Sequence, residues 1–295
     1  MKYTFKDFQR DFPDELACLT KLMEVKYGGT RVVCPSCGKE AQFHAMHTRR
    51  AFACQECGHH VYPAAGTIFH KSRTKLTHWF FAMYLMTSTR HGVAAAELQR
   101  QIGCTYKTAW RMAHELRKLM ATADHDWPLS GHVEIDETFI GGRNRTPGHG
   151  RKKAMENKTV VFGMLQRDGR VIAGPVHNRL KSTLEPIIQK HVRRGSMVST
   201  DEHGAYRDLA GIGYKHGSVN HAQEQWVDGI THTNSIEGHW GQLKRSIRGT
   251  HIHVSAKHLW KYVSEFNYRR NMRHSHWAMF DRLIWTLSMP AREVT

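Results

Sequence analysis

The chain has 295 residues, enough for one large domain or two to three smaller ones. A hydrophobic fraction of 40% with eight Trp supplies real cores and excludes wholesale disorder. Lys plus Arg number 43 against 26 Asp plus Glu, a formal charge of +17 spread along the whole chain, so the expected partner is a polyanion, with nucleic acid the commonest. The 23 His add further positive charge at mildly acidic pH. MKYTFKDFQRDF is charged from its start and does not resemble a signal peptide. The longest apolar run, Trp79–Met86, is too short to span a bilayer. A soluble, cytoplasmic protein with no membrane partner is expected, in which six Cys serve as thiols or metal ligands rather than disulfides.

Residues 5–26 read as a helical lead-in, with Asp11 as cap, Pro13 near the first turn and Leu16, Leu19, Leu22 and Met23 as an apolar stripe. VCPSCGKE and FACQECGHH follow, placing the pair Cys34 and Cys37 before the pair Cys54 and Cys57 with sixteen residues between Cys37 and Cys54. Two residues between thiols allow a tight knuckle to aim both sulfurs at one ion, and the gap fits a hairpin that closes a tetrahedron. Gly38 and Gly58 each follow the second Cys of a pair, where the knuckle needs a permissive backbone. Four thiolates leave no open position, so the ion is structural; zinc is the expected metal and iron the alternative, because spacing alone does not choose. The nearby His44, His47, His59 and His60 are then solvent- or phosphate-facing, and Cys18 and Cys104 ordinary buried thiols.

From Thr74 to Met120 the pattern is helical: Leu76–Thr87, then a helix, a turn at Ile102–Cys104, and a longer helix from Tyr106. Ala95, Leu98, Ala109, Met112, Ala113, Leu116 and Leu119 can build a small trihelical core. Lys107, Arg111, His114 and Lys118 then fall on the exposed side, the layout of a helix-turn-helix whose second helix enters a major groove; a plain helical hairpin is the alternative.

DHDWPLSG reads as a linker and VEIDETFIGG as an alternating strand carrying Asp136. The Gly-rich basic stretch 141–158 is a loop, and TVVFGMLQRDGRVIAGPVHN a β-hairpin turning at Asp168–Gly169, which makes Asp168 a turn residue and not a catalyst. LEPIIQKHVRR is a helix, and SMVST a strand ending at Asp201. HTNSIEGHWGQLKRSIR is a basic helix with Asn234 and Ser235 as caps, Ile236, Trp240, Leu243 and Ile247 on one face, and the single acid Glu237. A helix from Ser255 and another at Trp277–Leu287 are expected to cover the sheet or this helix. The order of elements describes an α/β layer fold.

Asp136, Asp201 and Glu237 stand out, separated by 64 and 35 residues. In a ribonuclease-H-like sheet two such strands lie side by side with a helix packed across them, so the three carboxylates can converge. Clustered carboxylates repel unless divalent cations neutralise them. Each acid also has a plainer reading: a strand end, a helix cap, a surface ion pair. Glu134, Glu137 and Glu202 are competing neighbours, and Glu134 shares the strand parity of Asp136.

VEIDETFIGG, STDEHGAYRDL, VNH and THTNSIEGHWGQLKRSIRGTHIHVSAKHLWKYVSEFNYRRN together resemble the bacterial ISXO-like insertion-sequence transposases, whose members often begin with a four-cysteine zinc ribbon and a KTAWRM-type helix, as here. The resemblance runs from about Phe5 to Leu287. It implies an α+β multidomain chain: a helical lead-in (1–30), a zinc ribbon (31–72), a DNA-binding helix-turn-helix (73–123) and a ribonuclease-H-like α/β catalytic core with C-terminal helices (130–289). The implied enzyme is a DDE transposase using two Mg²⁺ (or Mn²⁺) ions per active site, held by Asp136, Asp201 and Glu237, beside one structural Zn²⁺. Lys244, seven positions after Glu237, matches a basic residue of related enzymes and is implied to hold a phosphate of the transposon end, with Arg245 and Arg248 along the substrate backbone. Asn234 and His221 also match family-like positions. Implied partners are the terminal inverted repeats and target DNA, bound by a homo-oligomer of at least two protomers in the bacterial cytoplasm, at the nucleoid. A DNA-binding relic that no longer cuts, and a hydrolytic nuclease on the same fold, are the rival readings.

Overall fold

A computed structural model describes residues 3–124, 127–141, 158–219 and 230–289. Its contacts divide the chain into two units, Met1–Ala123 with Met272–Thr295, and Asp124–Asn271.

In the first unit, the lead-in is two helices, α1 (Phe5–Asp11) and α2 (Glu15–Tyr27). Thr4 and Asp7 close a capping box on α1, and Asp14, not the expected Asp11, caps α2 by accepting the N–H of Ala17 at 2.8 Å. Asp11 lies in the last turn of α1. The cysteine segment forms a four-stranded antiparallel sheet in order β1-β2-β3-β4: β1 (Arg31–Val33), β2 (Glu40–Ala45), β3 (Phe52–Cys54) and β4 (His60–Val61). Then come α3 (Leu76–Ser88), α4 (Ala95–Ile102) and α5 (Tyr106–Ala123). Gly103, at φ 71°, ends α4 in the left-handed region and starts the short turn into α5. Leu98, Ala109, Met112, Ala113 and Leu116 are buried as their helical spacing requires.

The last helix, α9 (Met279–Thr286), packs on α2, α3 and α5, instead of covering the sheet or the Glu237 helix as expected. Phe280 carries it there, stacking on Tyr3 at 5.3 Å and meeting Phe8 and Phe12 edge-on. Periodicity gave that helix an apolar face but no address.

The second unit is a five-stranded sheet of order β7-β6-β5-β8-β9. Its strands are β5 (His132–Ile140), β6 (Thr159–Gln166), β7 (Val171–Val176), β8 (Met197–Thr200) and β9 (Lys215–Ser218). β5, β6 and β7 are antiparallel neighbours, whereas β8 runs parallel to both β5 and β9. Asp168, at φ 55°, turns the β6–β7 hairpin as its Asp-Gly sequence predicts. Period-two alternation splits β5 between two cores. Val133 and Ile135 join Phe162, Met164, Leu184, Ile188 and Tyr206 under α6 (Lys181–His191). Ile140 joins Val161, Leu165 and Val171 on the other face, beneath α7 (Asn234–Ser246) and α8 (Ala256–Asn271). Asn271 exchanges two hydrogen bonds with the backbone of Val171, covering the open edge of β7. Among the described residues no helix is long and apolar enough to cross a membrane.

Candidate functional site

β5 and β8 pair in parallel with His132 opposite Met197 and Glu134 opposite Ser199. Continuing that register by two residues sets Asp136, at the middle of β5, beside Asp201, the residue that follows the end of β8. The alternating side chains of β5 then send Glu134 and Asp136 toward α7 and Glu137 toward the α6 face. Glu137 still reaches the site, because β8 ends at Thr200 and leaves the space past it open to both faces. Oxygens of Asp136, Glu137 and Asp201 all lie within 4.8 Å of one another.

Three further contacts shape the site. The Trp240 indole Nε1 donates to Asp136 Oδ2 at 2.9 Å. Gly163, paired with Asp136 across β5–β6, makes room for that indole: a Cβ there would stand 2.4 Å from the ring. On the opposite side His203 Nδ1 is 4.0 Å from Glu137 Oε1, and its own backbone N–H donates to Asp201 Oδ1 at 3.0 Å.

Burial, reinforced by the charges of Glu137 and Asp201, pushes Asp136 up to about 7, although the Glu137 N–H and the Trp240 indole oppose it. Glu137 is also raised, chiefly by burial. An oxygen-only donor set this close, whose three carboxylates Arg179 and Lys244 offset only in part, fits a hard divalent cation. A stability prediction follows from Asp136. Its folded value near 7 exceeds the 3.8 of the unfolded chain, so the folded state binds the extra proton and loses stability as pH rises from about 4 to about 7. In buffer without divalent cations, Asp136→Asn is expected to stabilise this unit at pH 8 by about 2–4 kcal/mol, with the gain shrinking toward pH 5. Calorimetric melting checks this, and a gain that does not depend on pH would rule out the buried charge as its source.

Glu237 is not part of this group. It lies exposed in the first turn of α7, where its Oε1 accepts the Thr233 hydroxyl at 2.9 Å. In this structure the third carboxylate beside Asp136 and Asp201 is that of Glu137. Nor do Asn234 and Ser235 cap α7. Asn234 is its first helical residue, and the capping acceptor is Glu134, which takes the N–H groups of Ser235 and Ile236 at 2.8 and 3.0 Å. Glu134 is fully buried, with Arg167 Nε at 2.8 Å and His232 Nδ1 at 3.3 Å from its other oxygen. Strand parity had flagged Glu134 as a neighbour of the site, but nothing in the sequence pairs it with a helix 101 residues away.

Lys244, half-buried on α7, has its ammonium drawn down by burial, an effect that the charge of Asp136 opposes and that of Arg248 reinforces. Arg245 and Arg248 are exposed. On α5, Lys107 and Arg111 are exposed as expected, with Arg111 bonded to Ser72 Oγ at 3.2 Å and lying over the Trp79 ring. Lys118 is half-buried and pairs with Glu115. His114 is a correction: it is only 2% exposed, with its ring stacked on Trp110 at 3.8 Å, so it does not share the exposed face. His221 lies outside the described residues.

The four cysteines form the other cluster, with sulfurs within 4.8 Å of one another. Each pair sits in the same knuckle. The N–H of Gly38 donates to the Cys34 carbonyl and that of Gly58 to the Cys54 carbonyl, both at 2.9 Å, with the glycines at φ 70° and 72°. Cys34 and Cys57 sulfurs are 3.7 Å apart, close to the roughly 3.8 Å edge of a tetrahedron built on a Zn–S bond of about 2.3 Å. Against burial, the backbone N–H groups of Cys37 and Ser36 and the neighbouring thiols draw Cys34 down to about 6. Against the His59 N–H, burial and the surrounding thiols push Cys57 up to about 12, so the shared protons concentrate on Cys57 and leave Cys34 as the thiolate. The cluster fits a structural zinc ion. His44, His47 and His59 are exposed and His60 half-buried; Cys18 is buried, whereas Cys104 is only half-buried. Metal analysis is expected to find one zinc per chain in the parent and none in Cys54→Ser, in which the ribbon unfolds. Unchanged metal content would overturn the four-thiol assignment.

Residues 128–271 match the family model of the ISXO2-like transposase domain, and residues 13–60 match that of the transposase zinc-ribbon domain. No curated protein matches the chain. Among solved structures, the crystal structure of the Mos1 strand transfer complex is similar at 10% identity, covering 73% of this chain and 79% of that one with a TM-score of 0.25. The carboxylate cluster falls inside the first matched segment and the cysteine knuckles inside the second, so the chain matches an ISXO2-like transposase with an N-terminal zinc ribbon.

Proposed function

We propose that this chain binds the terminal inverted repeats of its own insertion sequence and cuts and joins DNA strands at them. The observation that carries the reading is Asp136, in the middle of β5, beside Asp201, just past the end of the parallel strand β8, within the segment that matches the transposase domain. The sheet order, with its antiparallel first three strands and parallel last pair, supports a ribonuclease-H-like core.

In this reading Asp136 and Asp201 hold the divalent ions, Mg²⁺ or Mn²⁺, and Glu237 on α7 is the third carboxylate. When bound, two such ions activate a water or 3′-OH and stabilise the leaving oxygen of an in-line displacement. The protein's own residues do the positioning. Trp240 fixes the Asp136 carboxylate, and Lys244 holds a non-bridging phosphate oxygen beside it. Arg245 and Arg248 follow the strand backbone, which orients DNA without reading sequence. Sequence selection falls to α5, as the second helix of a helix-turn-helix, through Lys107, Arg111 and Lys118. Two ends must be brought together, so the working form is at least a dimer.

The test uses labelled DNA copied from the flanks of this chain's own gene, incubated with protein and Mg²⁺ beside Asp136→Ala. Discrete cuts at repeat ends with strands joined to a target, absent in the variant, are expected. Binding without cutting would leave a DNA-binding relic, and cutting without joining a nuclease.

A further inference from the structure

Beyond Lys244 the backbone of α7 departs from the α-helix. Ile247–His251 forms one π-helical turn, a feature that often marks functional segments. Ile252 then takes φ 63° and ψ −56°, and the N–H of His253 donates to the His251 carbonyl at 2.6 Å. This is a γ-turn of the rare positive-φ kind, strained for any residue with a Cβ and most of all for a β-branched one. The chain spends that strain on holding an apolar side chain in solvent, since Ile252 is 84% exposed. The turn does not splay freely, because the His251 ring packs edge-on against Tyr262 at 4.7 Å.

Ile252 stands at the wall of a cavity of 380 Å³, lined also by Phe139, Ile140, Lys244, Ile247, Arg248 and His253. That volume falls within the roughly 300–1,000 Å³ of small-molecule sites. Its walls divide by chemistry: aliphatic side chains and the Phe139 ring, one face of which carries the Arg179 guanidinium at 5.1 Å, suit contact with a base, and the Lys244 and Arg248 cations suit a phosphate. Phe139 and Ile140 continue β5 directly from the carboxylate at Asp136, so the cavity adjoins the proposed reaction centre.

We propose that this cavity receives one unstacked nucleotide of the DNA strand held at the carboxylates, with Ile252 as the wedge that parts it from its neighbour. The assignment rests on the transposase reading and adds a base-binding site to it. A wedge of this kind inserts between base steps and exchanges stacking for protein contact. Drawing one nucleotide aside bends the strand at the phosphate to be cut and opens it to the metal site. The strained turn keeps the wedge extended before DNA arrives, so no reordering is needed on binding.

Photo-crosslinking tests this with the full-length chain and a short single-stranded oligonucleotide carrying one 5-iododeoxyuridine, without divalent metal. Crosslinked peptides containing Phe139 or His253 are expected. Ile252→Gly removes the wedge yet suits φ 63°, so its melting temperature should be equal or higher while the crosslink yield falls about fivefold or more. Crosslinks confined to other parts of the chain, or an undiminished yield in Ile252→Gly, would overturn the proposal. No cutting is measured here. A failed crosslink therefore leaves the flank-DNA cleavage experiment standing, and failed cleavage leaves the crosslink standing.

Discussion

Asp201→Asn is expected to lower strand cleavage by about a thousandfold or more, the scale of losing several kcal/mol of transition-state stabilisation at a metal site. DNA binding, measured by mobility shift at fixed salt, should stay within about twofold of the parent. In the proposed reading the two outcomes separate because the carboxylate acts on the reacting phosphate, while α5 selects sequence and the exposed cations of α7 follow the DNA backbone. The substitution keeps size and hydrogen-bonding shape. The backbone N–H of His203, which donates to Asp201 Oδ1 at 3.0 Å, can still find an oxygen on Asn. Any loss of activity is then a loss of charge and metal affinity and not of folding, and an unchanged melting curve checks that. Comparing Glu237→Gln with Glu137→Gln decides the third position. If Glu237 moves into the cluster when metal and DNA bind, its amide is as damaging as that of Asp201, and Glu137→Gln is mild. The reverse ranking would assign the site to Asp136, Glu137 and Asp201 as the structure groups them.

What the sequence made legible was whatever is written in local period or in fixed spacing. The C-x2-C pairs with trailing glycines predict the knuckles, because two bonds of a tight turn and a positive φ are local requirements. The alternation of Val133, Ile135 and Phe139 around Asp136 predicts β5, and an Asp-Gly pair predicts its neighbouring hairpin. Strand β9 was missed: Lys215–Ser218 reads Lys-His-Gly-Ser, a polar edge whose only qualification is the backbone it pairs with in β8. His114 was misplaced because helical phase sets its direction on α5, while the Trp110 ring that stacks on it is a rotamer, not a phase. The caps were the least legible of all. Neither α3 nor α7 has a side-chain cap of its own. Glu15 accepts the N–H of Leu76 at 2.8 Å and pairs with Arg50, as Glu134 accepts from Ser235 and pairs with Arg167. Both units thus start a helix on an acid from a distant element, held in turn by an arginine. An interaction spanning 61 or 101 residues has no local signature.

That arrangement makes Glu134→Gln the largest expected loss of stability in the catalytic unit. The side chain is fully buried and serves three donors: two backbone N–H groups at the α7 N-terminus and the Arg167 guanidinium. A carboxylate satisfies all of them and matches the positive end of the helix dipole. An amide has one acceptor oxygen, so either the helix end or Arg167 must face an NH₂ group. Arg167 is itself tied to His132 Nδ1 at 3.0 Å and to the His232 carbonyl at 3.2 Å, and so has little freedom to turn away. Removing one member of a buried charge pair leaves the other uncompensated, and the expected cost is about 3 kcal/mol. For a unit of this size that is a fall of roughly 10 °C in melting temperature. Cleavage should also drop, by about tenfold to a hundredfold at temperatures where the unit is still folded, because α7 carries Trp240 and Lys244 and small misplacements at a reacting phosphate are expensive. The zinc content and the melting of the ribbon-bearing unit should not change. A Glu134→Gln protein that melts with the parent would show that α7 is seated by its Ile236, Trp240 and Leu243 face alone, and that the buried acid contributes nothing to holding it.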